Sequence, residues 1–302
     1  MTVYELKTMQ ICEIKEKTVV ALGTFDGCHA GHFSVLQNAF YKAKEQGVKS
    51  VAYTLDTSEM KGQALIMTLE EKIKAISKFG IDYVAVEHLS CVKGLSGEEF
   101  VSSVLCEQLH ACALVCGFNY RFGKGALSDA SDLKAFFEKN GGSVYICDKI
   151  TYEGEAVSSS LIRNKIENGE VEKILSYSRP YSIFARVERG KGLGSQHGVA
   201  TVNQEIPSGK VVPKTGVYIT ECEIGEDVYP AVTNVGYRPT TDGENNFLNV
   251  ETHIIGYSGD LYYSSLRINF YKRLRDERKF SSFEELKAQI ERDKAEAIAF
   301  FK

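Results

Sequence analysis

The chain has 302 residues, 43% of them hydrophobic, enough for a buried core and, at about 150 residues per domain, for two. Basic residues number 36 and acidic residues 40, and a net charge of −4 excludes a chain held to nucleic acid or an anionic membrane mainly by bulk charge. Five prolines against 26 glycines exclude a proline-rich, extended chain.

Met1 to Glu16 is charged and lacks the apolar run of a secretory signal. No window approaches the roughly 18 apolar residues of a membrane span. The eight cysteines show neither a C-x-x-C pair nor a regular spacing. They read as reduced thiols in a cytoplasmic protein rather than a disulfide framework.

From Thr18 to about Tyr177, short apolar runs alternate with helix-like segments. Val19–Gly23 reads as a strand, Phe33–Lys44 as a helix and Ser50–Leu55 as a second strand. Helix Glu70–Phe79 leads to strand Tyr83–Val86, helix Glu98–Leu109 to strand Ala113–Cys116, and helix Asp132–Lys139 to strand Ser143–Ile146. This alternation implies an α/β, Rossmann-like domain with a mainly parallel sheet and ligands beyond the carboxyl ends of its strands. The loops after Leu22, Leu55, Val86 and Cys116 are therefore where chemistry is expected.

The texture changes near residue 178, giving expected domains of 1–178 and 179–302. Tyr181–Val187, Gly216–Glu223, Val228–Val235, Leu248–Ile255 and Leu266–Tyr271 are strand candidates with no helices between them. Such a succession suggests a mostly antiparallel β-barrel or sandwich. A C-terminal helix follows from Ser282 to about Phe300, with Ser282 and Glu285 spaced as a capping box. All of the net charge falls before residue 179, with 19 basic against 23 acidic residues; the remainder carries 17 of each.

The first constellation is Gly23-Thr24-Phe25-Asp26-Gly27-Cys28-His29-Ala30-Gly31-His32, after a strand and before a helix. Two histidines in the pattern H-x-G-H at a helix N-terminus suit nucleotidyl transfer. Attack on the α-phosphorus of ATP builds negative charge on equatorial oxygens and on the departing pyrophosphate. Imidazole and amide N–H groups can stabilise that charge, and glycines let the backbone approach the phosphates. Two more strings are placed to reach the same sheet edge. Cys116-Gly117-Phe118-Asn119-Tyr120-Arg121-Phe122-Gly123 follows a strand, and Val157-Ser158-Ser159-Ser160-Leu161-Ile162-Arg163 sets hydroxyls and an arginine at a helix start, suited to a triphosphate.

In order and spacing, these strings resemble the adenylyltransferase module of the bacterial bifunctional riboflavin kinase/FAD synthetase family. The resemblance implies that His29, His32 and Arg163 serve catalysis. It implies nucleotide contacts for Gly23, Thr24, Phe25, Asp26, Gly31, Ser158, Ser159 and Ser160, and flavin contacts for Asn119, Arg121 and Phe122. One family string, F-x-P-x-P, is absent: Leu55-Asp56-Thr57-Ser58 ends the corresponding strand without proline.

The resemblance continues through Ser178-Arg179-Pro180-Tyr181, similar to the family's linking G-R-P-Y, into Gly190-Lys191-Gly192-Leu193-Gly194-Ser195-Gln196-His197-Gly198-Val199-Ala200-Thr201-Val202-Asn203. The family's loop ends G-F-P-T-A-N. Gly190, Gly194 and Gly198 are implied nucleotide residues, and Thr201 and Asn203 are implied ligands of Mg²⁺. Ser195, His197, Val199, Ala200 and Val202 depart from the family pattern. Val250-Glu251-Thr252-His253-Ile254 matches V-E-x-H-I, implying Glu251 as general base toward the riboflavin 5′-hydroxyl. Leu274-Arg275-Asp276-Glu277-Arg278-Lys279-Phe280 resembles L-R-x-E-x-K-F, with Arg275 an expected flavin-side or phosphate contact.

The resemblance therefore implies phosphorylation of riboflavin to FMN by ATP with Mg²⁺, then adenylylation of FMN to FAD. Small-molecule substrates are expected, with neither nucleic acid nor membrane as partner, and the sequence assigns no oligomeric state. Two other readings stay open: a monofunctional FAD synthetase with an impaired kinase, and a flavin-binding regulatory protein without turnover.

Overall fold

The computed structural model describes residues 1–6, 14–58, 64–188, 201–239 and 246–302. Packing divides the chain into two compact units, Met1–Gln63 with Met67–Ser159, and Ala64–Ile66 with Ser160–Lys302.

The first unit is built on strands β1 (Thr2–Leu6), β2 (Thr18–Leu22), β3 (Lys49–Asp56), β4 (Tyr83–His88), β5 (Ala111–Gly117) and β6 (Ser143–Cys147). They form one parallel sheet of order β1-β4-β3-β2-β5-β6. Alternate residues face opposite sides. Val19, Ala21, Ala52, Val84, Ala113 and Val115 pack under α1 (Ala30–Gln46) and α2 (Leu69–Ser77). Val20, Leu22, Val51, Tyr53, Ala85 and Leu114 pack on the other face. That face is covered by α3, which runs Gly97–Glu99 and continues as a π-helix over Phe100–Gln108, and by α4 (Ala130–Glu138).

After β2 the chain adds β3 and β4 on one side, then returns to place β5 on the other. The sheet therefore has its switch point between β2 and β5, with Leu22 paired to Cys116. A crevice for a nucleotide forms at the carboxyl ends of such neighbours. The structure adds β1, an edge strand the sequence patterning did not single out, and turns the expected helix over 98–109 into a mostly π-helical one.

Helix α5 (Ser159–Glu167) leads to the second unit's closed antiparallel barrel. Its strands are β7 (Tyr181–Glu188), β8 (Val202–Gln204), β9 (Gly216–Ile224), β10 (Asp227–Pro239), β11 (Asn246–Ile254) and β12 (Ser265–Arg275), in the order β7-β8-β11-β10-β9-β12. Tyr181, Tyr218, Val250, Ile268 and Phe270 are among its fully buried side chains. Thr220, Thr233 and Thr252, one on each of three adjacent strands, join hydroxyls at 2.7 and 2.8 Å. On β9 the intervening Val217 and Ile219 are buried too, with Val232 and with Ala297 of the terminal helix α6 (Phe283–Phe300). Ser282 caps α6 by accepting from Glu285 N–H at 3.2 Å. The Glu285 carboxylate accepts from Ser281 instead of closing the expected box on Ser282.

The division by packing falls one helix before residue 178. Lys214 N–H donates to the Ile166 carbonyl at 3.3 Å, fastening α5 to the barrel's own unit.

Candidate active sites

The loop between β2 and α1 holds an unusual backbone. Phe25 and Cys28 have φ of 51° and 38°, around Gly27 at 83°. Left-handed non-glycine residues cost energy and persist where the surroundings fix them, often at sites of chemistry. Phe25 is fully buried, Asp26 Oδ1 accepts from Met67 N–H at 3.0 Å, and the Asp26 carbonyl accepts from Ser159 Oγ at 2.7 Å. The Thr24 carbonyl accepts from Thr54 Oγ1 at 3.0 Å.

His29 is the N-cap of α1, its Nδ1 accepting from His32 N–H at 3.4 Å. The His29 and His32 rings stack with centroids 3.8 Å apart and planes 18° from parallel. A Cβ at Gly31 would lie 3.1 Å from His29 Cε1, so the glycine leaves room for the ring. Burial lowers His29 to about 4. His32 is pushed well below its ordinary value by burial, and further by His29 and Lys72. Both rings are therefore neutral at pH 7. Because His29 Nδ1 accepts a backbone N–H, its own proton sits on Nε2. Cys28 is fully buried, with its thiol directed at the Phe25 carbonyl, 3.4 Å away.

Asn119 and Arg121 are exposed beyond β5, and Phe122 is buried against Phe100 and Tyr120. Ser158 and Ser159 are half-buried in the first unit, while Ser160 is exposed. Arg163 belongs to the second unit, where its Nε donates to the Ala64 carbonyl at 2.6 Å.

In the barrel, Asn203 on β8 pairs with Glu251 on β11, and Glu251 pairs with Asn234 on β10. Thr201 Oγ1 donates to Glu251 Oε1 at 2.8 Å, and Asn249 Nδ2 donates to Asn203 Oδ1 at 3.2 Å. Asn234 Nδ2 donates to Glu277 Oε1 at 3.0 Å. Thr201, Asn203 and Glu251 thus form one oxygen-rich patch. Arg275 is placed differently: its guanidinium grips the buried carboxylate of Asp293 on α6, with Nη2 to Oδ2 at 2.7 Å. Gly190, Gly194, Gly198, Ser195, His197, Val199 and Ala200 lie outside the described residues.

The family model for FAD synthetase matches residues 11–161, and that for riboflavin kinase matches residues 177–301. A bifunctional riboflavin kinase/FMN adenylyltransferase of Bacillus subtilis is 32% identical over 96% of this chain and 95% of its own length. The protein of the same description from Escherichia coli K12 is 30% identical, covering 95% and 94%. The chain belongs to the bifunctional riboflavin kinase/FMN adenylyltransferase family. A crystal structure described as a macrolide-efflux protein from Streptococcus pneumoniae shares the fold, with a TM-score of 0.86, 26% identity and 98% of both chains covered. Among the described residues, no helix of this family member is long and apolar enough to cross a membrane.

Sequence reasoning missed Lys72, which lies 3% exposed on α2. Its Nζ donates to the Leu55 carbonyl at 2.9 Å and to Thr54 Oγ1 at 3.4 Å. The available signal was the cap Thr68-Leu69-Glu70-Glu71 just before it, which fixes where the helix begins and therefore which side chain turns inward.

Proposed function

We propose that this chain carries both transferase activities of its family, residues 1–178 as FMN adenylyltransferase and residues 179–302 as riboflavin kinase, with ATP, riboflavin and FMN as its small-molecule substrates. The observation that carries the bifunctional reading is Glu251 with Thr201 Oγ1 at 2.8 Å and Asn203 on the neighbouring strand. In the kinase step Glu251 takes the proton of the riboflavin 5′-hydroxyl as its oxygen bonds to the γ-phosphorus and the bond to ADP breaks. Hydroxyl, amide and carboxylate oxygens are the hard donors that Mg²⁺ prefers, so Thr201 and Asn203 fit as its holders. When bound, Mg²⁺ supplies charge neutralisation at the phosphates.

In the adenylyl step an FMN phosphate oxygen bonds to the α-phosphorus of ATP and pyrophosphate leaves. His29 Nε2–H and the N-terminal amides of α1 stabilise the charge that develops. Neither step needs a protein nucleophile; alignment supplies much of the rate. We place the protein in the cytoplasm, supported by cysteines that are all free among the described residues.

Incubation with riboflavin, ATP and Mg²⁺ is expected to yield FMN and then FAD, read by chromatography with fluorescence. Glu251→Gln should abolish FMN formation while FMN supplied directly is still converted to FAD. His29→Ala or His32→Ala should slow FAD formation by on the order of 10²-fold while sparing FMN formation. The substitutions Ser195, His197 and Ala200 in the kinase loop favour a second reading, a monofunctional FAD synthetase. That reading prevails if FAD forms only when FMN is supplied.

A further inference from the structure

The lysine buried beside the histidine loop has no carboxylate in direct contact among the described residues. Its two hydrogen-bond acceptors, the Leu55 carbonyl and Thr54 Oγ1, are neutral, and an ammonium has three N–H donors. It makes no ion pair among the described residues. Burial disfavours its charge, and Asp26 and Asp56 offset this only through space: Asp26 Oδ1 accepts from Met67 N–H at 3.0 Å, and Asp56 Oδ1 from Ser58 N–H at 2.9 Å. Burying an unpaired cation is costly, and a sequence retaining one for packing alone could use methionine at similar volume.

A second deficit lies in the same cluster. His32 Nδ1 is buried without a hydrogen-bond partner, and Lys72 is near enough to lower the histidine's proton affinity. Thr54 links the two elements, accepting from Lys72 and donating to the Thr24 carbonyl of the histidine loop. A cation without an ion pair among the described residues and a ring nitrogen lacking a partner, at the carboxyl ends of β2 and β3, are both answered by one kind of ligand, a phosphate. The four-carbon stem lets Nζ leave the Leu55 carbonyl for a phosphate oxygen while α2 stays in place.

We propose that Lys72 is a catalytic residue of the adenylyl site, binding the phosphates of ATP and neutralising the charge that builds on the leaving pyrophosphate. The assignment rests on the adenylyl-transfer reading above. As the FMN oxygen bonds to the α-phosphorus and the bridging oxygen departs with both electrons of the broken bond, Lys72 stays protonated throughout; it supplies charge and takes no proton.

The test compares the wild-type full-length protein with Lys72→Met and Lys72→Arg. FAD formation from FMN and Mg-ATP, FMN formation from riboflavin, and the melting temperature with and without ATP are measured for each. Lys72→Met should lower kcat/KM for ATP in FAD formation by about 10²–10³-fold, leave FMN formation unchanged, and melt no lower than wild type without ligand. Lys72→Arg should recover part of the lost activity. Adenylyl transfer by Lys72→Met within threefold of wild type overturns the assignment. So does a lowered melting temperature in Lys72→Met that Lys72→Arg does not restore, since that marks a structural lysine. A wild-type protein that makes no FAD from FMN and ATP refutes instead the adenylyl reading itself.

Discussion

Glu87 is fully buried at the end of β4, with one oxygen accepting from His88 N–H at 3.1 Å and the other without a partner. Burial pushes its carboxyl from 4.5 up to about 7. The folded state thus holds a proton that the unfolded chain releases above 4.5, and this contribution to stability is complete below pH 4.5 and lost as pH rises through 7. His29 works in the opposite sense: depressed from 6.5 to about 4, it favours the fold fully above pH 6.5 and loses that contribution as pH falls toward 4. Between pH 4.5 and 6.5 Glu87 opposes the two histidines, since His32, also depressed chiefly by burial, acts in the same sense as His29. Glu87→Gln removes the Glu87 contribution. Urea unfolding at pH 5 and pH 8 should show the variant gaining about 1–3 kcal/mol over wild type at pH 8 and little at pH 5. Equal pH profiles for the two proteins would contradict the assignment.

At the scale of elements, the start of α2 is tied to the histidine loop. Thr68 Oγ1 accepts from Glu71 N–H at 3.3 Å and Glu71 Oε2 accepts from Thr68 N–H at 2.8 Å, a complete capping box. One residue earlier, Met67 N–H is held by Asp26 of the histidine loop. The cap therefore fixes both the start of α2 and the position of Lys72 one turn on. Thr68→Ala should cost about 1 kcal/mol of stability and slow FAD formation severalfold while FMN formation is kept, checked by thermal melts and the two product assays. The helix–strand alternation and the histidine loop were legible because hydrophobic period and glycine placement are local properties of the chain. Lys72 was not, since its meaning comes from burial against β3, which no spacing encodes. The pairing of Arg275 with Asp293 was not legible either, since Asp293 lies 18 residues on, across the turn into α6, where no local pattern links them. The π-helix over Phe100–Gln108 buries Phe100, Val101, Val104 and Leu105, a spacing that an ordinary α-helix would carry equally well. The edge strand β1 exposes Thr2 and Val3 and buries only Leu6, too little apolar alternation to stand out.

At the scale of the molecule, the cysteines report on each unit separately. Cys28, Cys116 and Cys147 are buried in the first, and Cys222 is buried in the barrel. Burial pushes the Cys116 and Cys222 thiols up to about 12 and raises Cys147 as well, so reactive thiolate is scarce near neutral pH. Cys91, Cys106 and Cys112 are only half-buried. Alkylation of the native protein at pH 8, followed by peptide mass spectrometry, should modify those three first among the described cysteines. The four buried thiols should wait for opening of the surrounding core. Each unit has its own core, so Cys28, Cys116 and Cys147 should share one slow rate and Cys222 should follow another. Modification of Cys28 as fast as Cys91 would mean that the loop beside His29 opens on its own, and that the left-handed backbone at Phe25 and Cys28 is held less firmly than its buried ring and thiol imply.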